Sequence, residues 1–246
     1  MRITVVGGTG LIGARLVRQL ETAGHQVVVA ARSTGVDILT GAGLDRALDG
    51  TELVIDVSNP GYGDAAAALR FFETAGATLL TAERAAGIAH HVTFSAIGAE
   101  RIDRGYFHAK KVQEQLVLGS DIPFTIVRSA PLFEYIHDII YAGRSEDTVR
   151  VPPVRVQPIT ADDAAQVLMK VALRDPANAI VEVAGPNIYQ LPELAEQILT
   201  GDEDYRPVLV DDDAPFFGTP LGDAALIAGP DDGDFGDWLR RALAPA

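Results

Sequence analysis

The sequence predicts an α/β fold, a parallel sheet with helices on both faces. Two observations predict it. Short apolar runs rich in β-branched residues alternate with segments whose apolar residues recur every three or four positions. The first of those runs also ends directly in a glycine-rich turn, GGTGLIG, that opens a helical segment. Strand, helix, strand repeated this way makes a parallel sheet, and its strands read as continuous apolar runs because both faces are buried.

The elements follow in order. ITVVG from Ile3 is the first buried strand, LIGARLVRQLETAG the first helix, and QVVVA from Gln26 the second buried strand. AGLDRALDG is a helical segment ahead of the strand ELVIDV from Glu52. The long helix DAAAALRFFETAGATLLTAERAAG leads to HVTFSA from His91, and the helix YFHAKKVQEQLVLGSD leads to PFTIVR from Pro123. Most of these helices stop near a glycine, which tolerates the backbone turn at a helix end. After Pro131 the alternation loosens. PLFEYIHDIIYAG is an amphipathic helix, VRVPPVRVQPI a proline-interrupted pair of extended segments, and TADDAAQVLMKVAL a helix with Thr160 as its N-cap. AIVEVA from Ala179 is the last buried strand. From Gly201 onward the chain is aspartate-rich, with eleven acids against three arginines. PDDGDFGDW lacks the ordered ligand positions and terminal glutamate of a calcium loop, and reads as a solvated face with Trp238 and Leu239 turned inward.

Composition narrows the function. A formal charge of −14 offers no basic footprint for nucleic acid. There is no cysteine, hence no disulfide and no thiolate metal site, and this fits a reducing cytoplasm. No stretch approaches the roughly 18–20 apolar residues of a membrane span, and the amino terminus has no secretory pattern, so a soluble cytoplasmic protein is expected. Among the histidines no cluster with carboxylates has metal spacing, and no metal is expected.

The turn carries the first chemistry. Gly7 lets the chain leave the strand sharply, Gly10 lets backbone approach a pyrophosphate, and Gly13 lets the helix pack close to the sheet. Thr9, Leu11 and Ile12 stand at the helix start, where N–H groups face phosphate oxygens. No GK[ST] follows, which excludes a Walker-type loop. The second strand ends in Ala30 and Ala31, where an NAD site usually carries an acid that holds the ribose hydroxyls, and Arg32 and Ser33 follow. A missing carboxylate and a guanidinium favour NADP(H) over NAD(H); as a plain surface arginine, Arg32 would leave that choice open. Asp37 is placed beside the adenine, and Ser58 and Asn59 along the pyridine-nucleotide cleft.

GGTGLIG, DVSNP, FSAIG, YFHAK and IPFTIVRSAPLFEYI together resemble the atypical short-chain dehydrogenase/reductases, in particular their NmrA-like NAD(P)H-binding branch, in order from residue 1 to about 185. The resemblance implies a Rossmann-type doubly wound parallel sheet with a small carboxy-terminal substrate lobe, in one domain spanning 1–246. Residues about 131–156 and 186–246 would form the lobe. In catalytic members a Tyr-x-x-x-Lys motif does the chemistry, and it falls on Tyr106 and Lys110, which an i, i+4 spacing puts on one helical face. The resemblance implies that Lys110 binds the nicotinamide ribose and lowers the phenol's pKa, and that Tyr106 gives a proton to the substrate oxygen as hydride arrives. Ser95 matches the serine that orients that oxygen. Where many members have two serines this chain reads Ser95-Ala96, which leaves the direction of Ser95 open. As a bare helix pattern, Tyr106 and Lys110 also fit a packing aromatic and a solvated lysine.

Ser129, Ala130 and Pro131 are expected beside the nicotinamide. Phe133, Tyr135, Ile136, Tyr141 and Gln157 are candidates for the substrate pocket, and each could equally be core. The expected activity is NADPH-dependent hydride transfer to a small apolar carbonyl, quinone or conjugated compound. The alternative is a non-catalytic regulator that senses NADP(H). The helices DAAAALRFF and YFHAKKVQEQL could form a homodimer interface or face water.

Overall fold

A computed structural model of the chain describes residues 1–221 and 226–229. The PDDGDFGDW segment with Trp238 and Leu239 lies outside the described residues. Six strands form one sheet: β1 (Arg2–Val6), β2 (Gln26–Ala30), β3 (Leu53–Asp56), β4 (His90–Ala96), β5 (Phe124–Ser129) and, after two short strands β6 (Val149–Val151) and β7 (Arg155–Val156), β8 (Ala179–Val183). Their order is β2-β1-β3-β4-β5-β8, and every pairing is parallel. Winding reverses at β1, whose neighbours are β2 on one side and β3 on the other. The register aligns Val6 with both Ala30 and Asp56, so the three strands end together at the crevice where sheets of this topology bind ligands.

Helices α1 (Leu11–Thr22), α2 (Leu44–Leu48), α3 (Ala65–Ala86), α4 (Gly105–Leu118), α5 (Phe133–Ala142) and α6 (Ala161–Ala172) cover the sheet and its carboxy edge. Strand alternation decides which core each residue joins. Ile3 and Val5 pack with Leu16 and Leu20 of α1 and with Ala164, Val167 and Leu168 of α6. Val6, one residue on, turns to the opposite face with Leu44, Leu48 and Leu79. On that face α3 and α4 approach closely: a Cβ on Gly76 would meet Leu116 Cδ1 at 2.7 Å. The expected strands and helices are all present, with one difference. β2 and β8 are half-buried, because they are the two edges of the sheet and lack a neighbour on one side.

Caps follow the local chemistry. Asp64 accepts from Ala67 N at 2.9 Å to start α3, which ends at Gly87 with φ +71°; Thr160 accepts from Asp163 N at 3.1 Å to start α6. Beyond the sheet come β9 (Tyr189–Gln190), α7 (Leu191–Gly201), β10 (Val208–Val210), and the hairpin of β11 (Pro215–Phe216) and β12 (Thr219–Pro220). β10 pairs with β6, and β9 with β7. Their side chains share a core with α3, α4 and α5 that includes Phe72, Phe107, Ile136, Leu194 and Phe216.

Candidate active site

A cavity of about 790 Å³ opens over the carboxy ends of the strands. That is within the roughly 300–1,000 Å³ of ligand pockets. One end is backbone. Gly7 sits at φ +78°, and a Cβ there would strike Ser58 N and Cα at 2.9 Å. A Cβ on Gly13 would lie 2.2 Å from Gly7 O, so the helix reaches the turn only because that position is bare. Gly10 and Thr9, Leu11 and Ile12 line the cavity. The first turn of α1 carries no acidic residue and no side-chain cap, leaving its N–H groups for an anion. Across from it, Ser58 Oγ is buried with no partner among the described residues. A bare-backbone helix start and an unanswered buried hydroxyl fit a dinucleotide, with the turn and Ser58 as its holders.

Ala30, Ala31, Arg32, Ser33 and Asp37 line the same end. No acid stands at the tip of β2. Arg32 is exposed and makes no ion pair among the described residues. Asp37 is folded into its own loop, Oδ1 accepting from Leu39 N at 2.9 Å. Asn59, Ser129, Ala130 and Pro131 line the middle of the cavity.

The other end is aromatic. Tyr106 and Lys110 both line the cavity, yet both are almost wholly buried, at 7% and 2% exposure. Asn59 Nδ2 donates to the Tyr106 phenol oxygen at 3.2 Å, which leaves the phenol's own proton uncommitted. Burial first, then Tyr135, holds this phenol well above its usual range, against the Asn59 hydrogen bond. Lys110 Nζ donates to Phe94 O at 2.8 Å and to Gln113 Oε1, and lies 4.4 Å from the Phe72 ring centroid. Burial pushes its pKa down to about 8, against Asp56 and Glu114. Gln113 Nε2 in turn donates to Asp56 Oδ2 at 3.0 Å, and Asp56 Oδ1 accepts from Ser58 N at 2.9 Å. A buried chain thus runs from the wall of the glycine turn to the lysine. The expected lowering of the phenol's pKa by Lys110 does not occur: the ammonium is held by β4 backbone and Gln113, and the phenol is raised.

Ser95, near the end of β4, lines the cavity, but its hydroxyl donates to Glu114 Oε1 at 2.6 Å. Arg128 grips the same carboxylate with Nε at 2.9 Å and a terminal nitrogen at 2.7 Å, and meets Glu100 at 3.0 Å. The Glu114 carboxylate accepts from both the serine and the guanidinium, so the Ser95 proton is committed to this cluster rather than to a substrate oxygen. Four of the five substrate-pocket candidates do not line the cavity. Tyr135 lines the cavity. Phe133 packs edge-on against Tyr189, and Ile136 is fully buried in the core. Tyr141 stacks on His137 at 4.3 Å and bonds Asp202 on the surface. Gln157 bridges Gly185 O at 2.8 Å and Ala228 N at 3.2 Å. The face of α5 turned to the cavity is the one that carries Tyr135; the others lie around it.

The sequence reading missed Tyr62, Phe71, Phe107 and Phe217, which with Tyr106 and Tyr135 make the aromatic wall. It also missed Asp56, Gln113 and Glu114. Gln113 stands three residues after Lys110 on one helix, a spacing that could have found it, and Asp56 is the lone charge in an apolar strand. Among the described residues there is no group of ligands fit for a metal, and no helix is long and apolar enough to cross a membrane.

The six-stranded parallel sheet with its glycine turn is a Rossmann-like α/β fold, the kind that holds a dinucleotide at this crevice. The comparisons agree with that fold. The profile of the NAD dependent epimerase/dehydratase family matches residues 3–97. The Photosystem II assembly factor Ycf39 of Synechocystis sp. is 29% identical over 145 residues, covering 53% of this chain and 44% of that protein, so the match spans under half of the relative's length. A dTDP-4-dehydrorhamnose reductase from Clostridium acetobutylicum superposes with a TM-score of 0.73 at 18% identity, over 92% of this chain and 90% of that one. Triphenylmethane reductase of Citrobacter sp., complexed with NADP(H), gives 0.66 at 19% identity over 86% and 79%. MoeE5 in complex with UDP-glucose and NAD gives 0.70 at 17% identity over 92% and 88%. At these identities the likeness is one of fold.

Proposed function

We propose that the chain is an NADPH-dependent reductase of the NmrA-like branch, acting on a small, uncharged and largely apolar carbonyl, quinone or conjugated compound. One observation carries the reading: a buried phenol, whose oxygen accepts from Asn59 and whose own proton has no acceptor among the described residues, faces the cavity that the glycine turn opens. When bound, reduced nicotinamide supplies hydride. The residues that would hold it are Gly7 to Gly13, Arg32, Ser33, Asp37, Ser58, Asn59 and Ser129 to Pro131.

Tyr106 supplies the proton. With a reduced nicotinamide bound, the phenol would give its proton to the substrate oxygen as that oxygen gains charge, and the phenolate would be reprotonated from water. A phenol held above its usual range is protonated at physiological pH and so has a proton to give, while the reverse oxidation, which requires a phenolate base, is disfavoured. Asn59 orients the phenol by donating to its oxygen. Lys110, one turn after Tyr106 on α4, lines the same cavity but is tied to Phe94 O and Gln113. Among the described residues that line the cavity the only cations are Arg32 and Lys110. Arg32 stands at the nucleotide end, where it favours a 2′-phosphate, so among the described residues the aromatic end offers no exposed cation for a sugar-nucleotide diphosphate. This argues for reduction of an uncharged compound over sugar-nucleotide epimerisation.

One feature supports the alternative, a non-catalytic sensor of NADP(H): Lys110 is engaged by the protein and lends the phenol no downward push. Calorimetric titration with NADPH and NADH, followed by NADPH oxidation against a panel of quinones and ketones, separates the two. Turnover with any member favours the reductase. Binding without turnover across the panel leaves the sensor, and no binding at millimolar cofactor removes both.

A further inference from the structure

Among the described residues after Tyr135, one lines the cavity, Phe217. It stands at the tip of the β11–β12 hairpin, between Phe216 and Gly218. Its φ is +49° and that of Gly218 is +68°, the two consecutive left-handed residues of a tight hairpin turn. Gly suits such a position, and Asn tolerates it. A bulky aromatic side chain there is an outlier, held only where its surroundings over-determine it.

The surroundings are other cavity aromatics. The Phe217 ring lies 4.7 Å from Tyr62, 5.5 Å from Tyr106, 6.1 Å from Tyr135 and 6.2 Å from Phe107. The hairpin is wedged tightly on both sides. A Cβ on Gly105, at the start of α4, would overlap Thr219 Oγ1 at 1.8 Å, and one on Gly218 would meet Tyr62 O at 2.9 Å. Two glycines therefore let the hairpin reach the residue next to Tyr106 and bring one ring against the phenol. Phe217 and Phe216 both belong to the buried cluster, at 7% and 0% exposure, but only Phe217 combines a positive φ with a place in the cavity lining.

We propose that Phe217, set by its strained hairpin against Tyr106, Tyr62 and Tyr135, is the specificity-determining residue of the site and selects flat, conjugated ring substrates over saturated ones. The inference rests on the reductase reading for its substrate class, but binding alone tests it. A flat ring gains face and edge contacts with the aromatic wall that a puckered ring of equal size cannot reach.

The test compares 1,4-naphthoquinone with its saturated bicyclic counterpart 1-decalone, by equilibrium dialysis with and without NADP+, on the wild type, Phe217→Leu and Phe217→Asn. Leu keeps apolar bulk, while Asn relaxes the turn as it removes the ring. The wild type is expected to prefer naphthoquinone, and both variants to lose about five- to tenfold of that affinity, with decalone and NADP+ affinities held within about twofold. Equal weakening of both rings would make Phe217 a packing residue and overturn the assignment, as would unchanged naphthoquinone affinity or no wild-type preference. If the Phe217→Asn variant fails to fold, the Phe217→Leu variant decides. A wild type that takes naphthoquinone through Phe217 but no NADP(H) sinks the reductase reading alone.

Discussion

The two ends of the cavity are built from opposite materials. At the nucleotide end the wall is largely backbone: a glycine turn, a helix start with no side-chain cap and no acid in its first turn, and the peptide of Ser58 pressed against Gly7. At the far end it is aromatic side chains, drawn from the loop after β3, from α3, α4 and α5, and from a hairpin near residue 217. Backbone recognises what all dinucleotides share, a pyrophosphate, and needs nothing variable. A wall of side chains can be changed one residue at a time, and there the choice of substrate is made.

That contrast can be broken by experiment. The largest effect is expected at the phenol. Tyr106→Phe keeps the ring and its packing but removes the proton, and should lower kcat by about 10²–10⁴-fold with NADPH affinity unchanged in calorimetry; an unchanged kcat/KM would take Tyr106 out of the chemistry. Next comes a control that lines neither end. Glu83 and His91 are a fully buried pair at 2.8 Å, with Thr93 on the other ring nitrogen. Breaking such a pair costs about 3–5 kcal/mol, so Glu83→Gln should lower Tm by on the order of 10 °C while Kd for NADPH holds.

The pair also has a pH signature. Burial works against charge on His91, but the attraction and hydrogen bond of Glu83, aided by Asp56, win and raise its pKa. The folded-state value is above the unfolded one, so this contribution is fully present below about pH 6.5 and fades as pH rises through the folded value. The Tm gap between wild type and Glu83→Gln should be widest at pH 5.5 to 6 and narrow on the alkaline side.

Smaller effects test the backbone end. Gly13→Ala drives a Cβ toward Gly7 O and should destabilise by about 1–3 kcal/mol. It should also weaken NADPH and NADH alike, because the turn grips what they share. Arg32→Ala sharpens the point from the other side: NADPH affinity should fall about tenfold and NADH affinity hold, the loss of one charge-assisted contact. Equal loss for both coenzymes would remove the 2′-phosphate role.

Legibility in the sequence followed the range of the interaction. The six sheet strands were readable because each is a contiguous apolar run, and the glycine turn because its parts lie within seven residues. Tyr106 and Lys110 were readable as one helical face. Their consequences were not. Lys110 was expected to serve the phenol, and Phe94 O and Gln113 hold it instead. Ser95 was matched to the serine that orients a substrate oxygen with its direction left open; it lines the cavity, but its hydroxyl donates to Glu114, which Arg128 also holds. Each of those outcomes depends on partners placed across a strand or a helix, which no local pattern encodes.

By itself, then, the amino-acid order determined the parallel α/β scaffold and the place where a phosphate-bearing cofactor meets it, since periodicity and bare glycines act over a few residues. Only the tertiary structure decided which side chains face the far end of the cavity. Phe217 reaches Tyr106 across 111 positions of chain because Gly105 and Gly218 leave room for the hairpin, and that meeting is set by packing between distant segments.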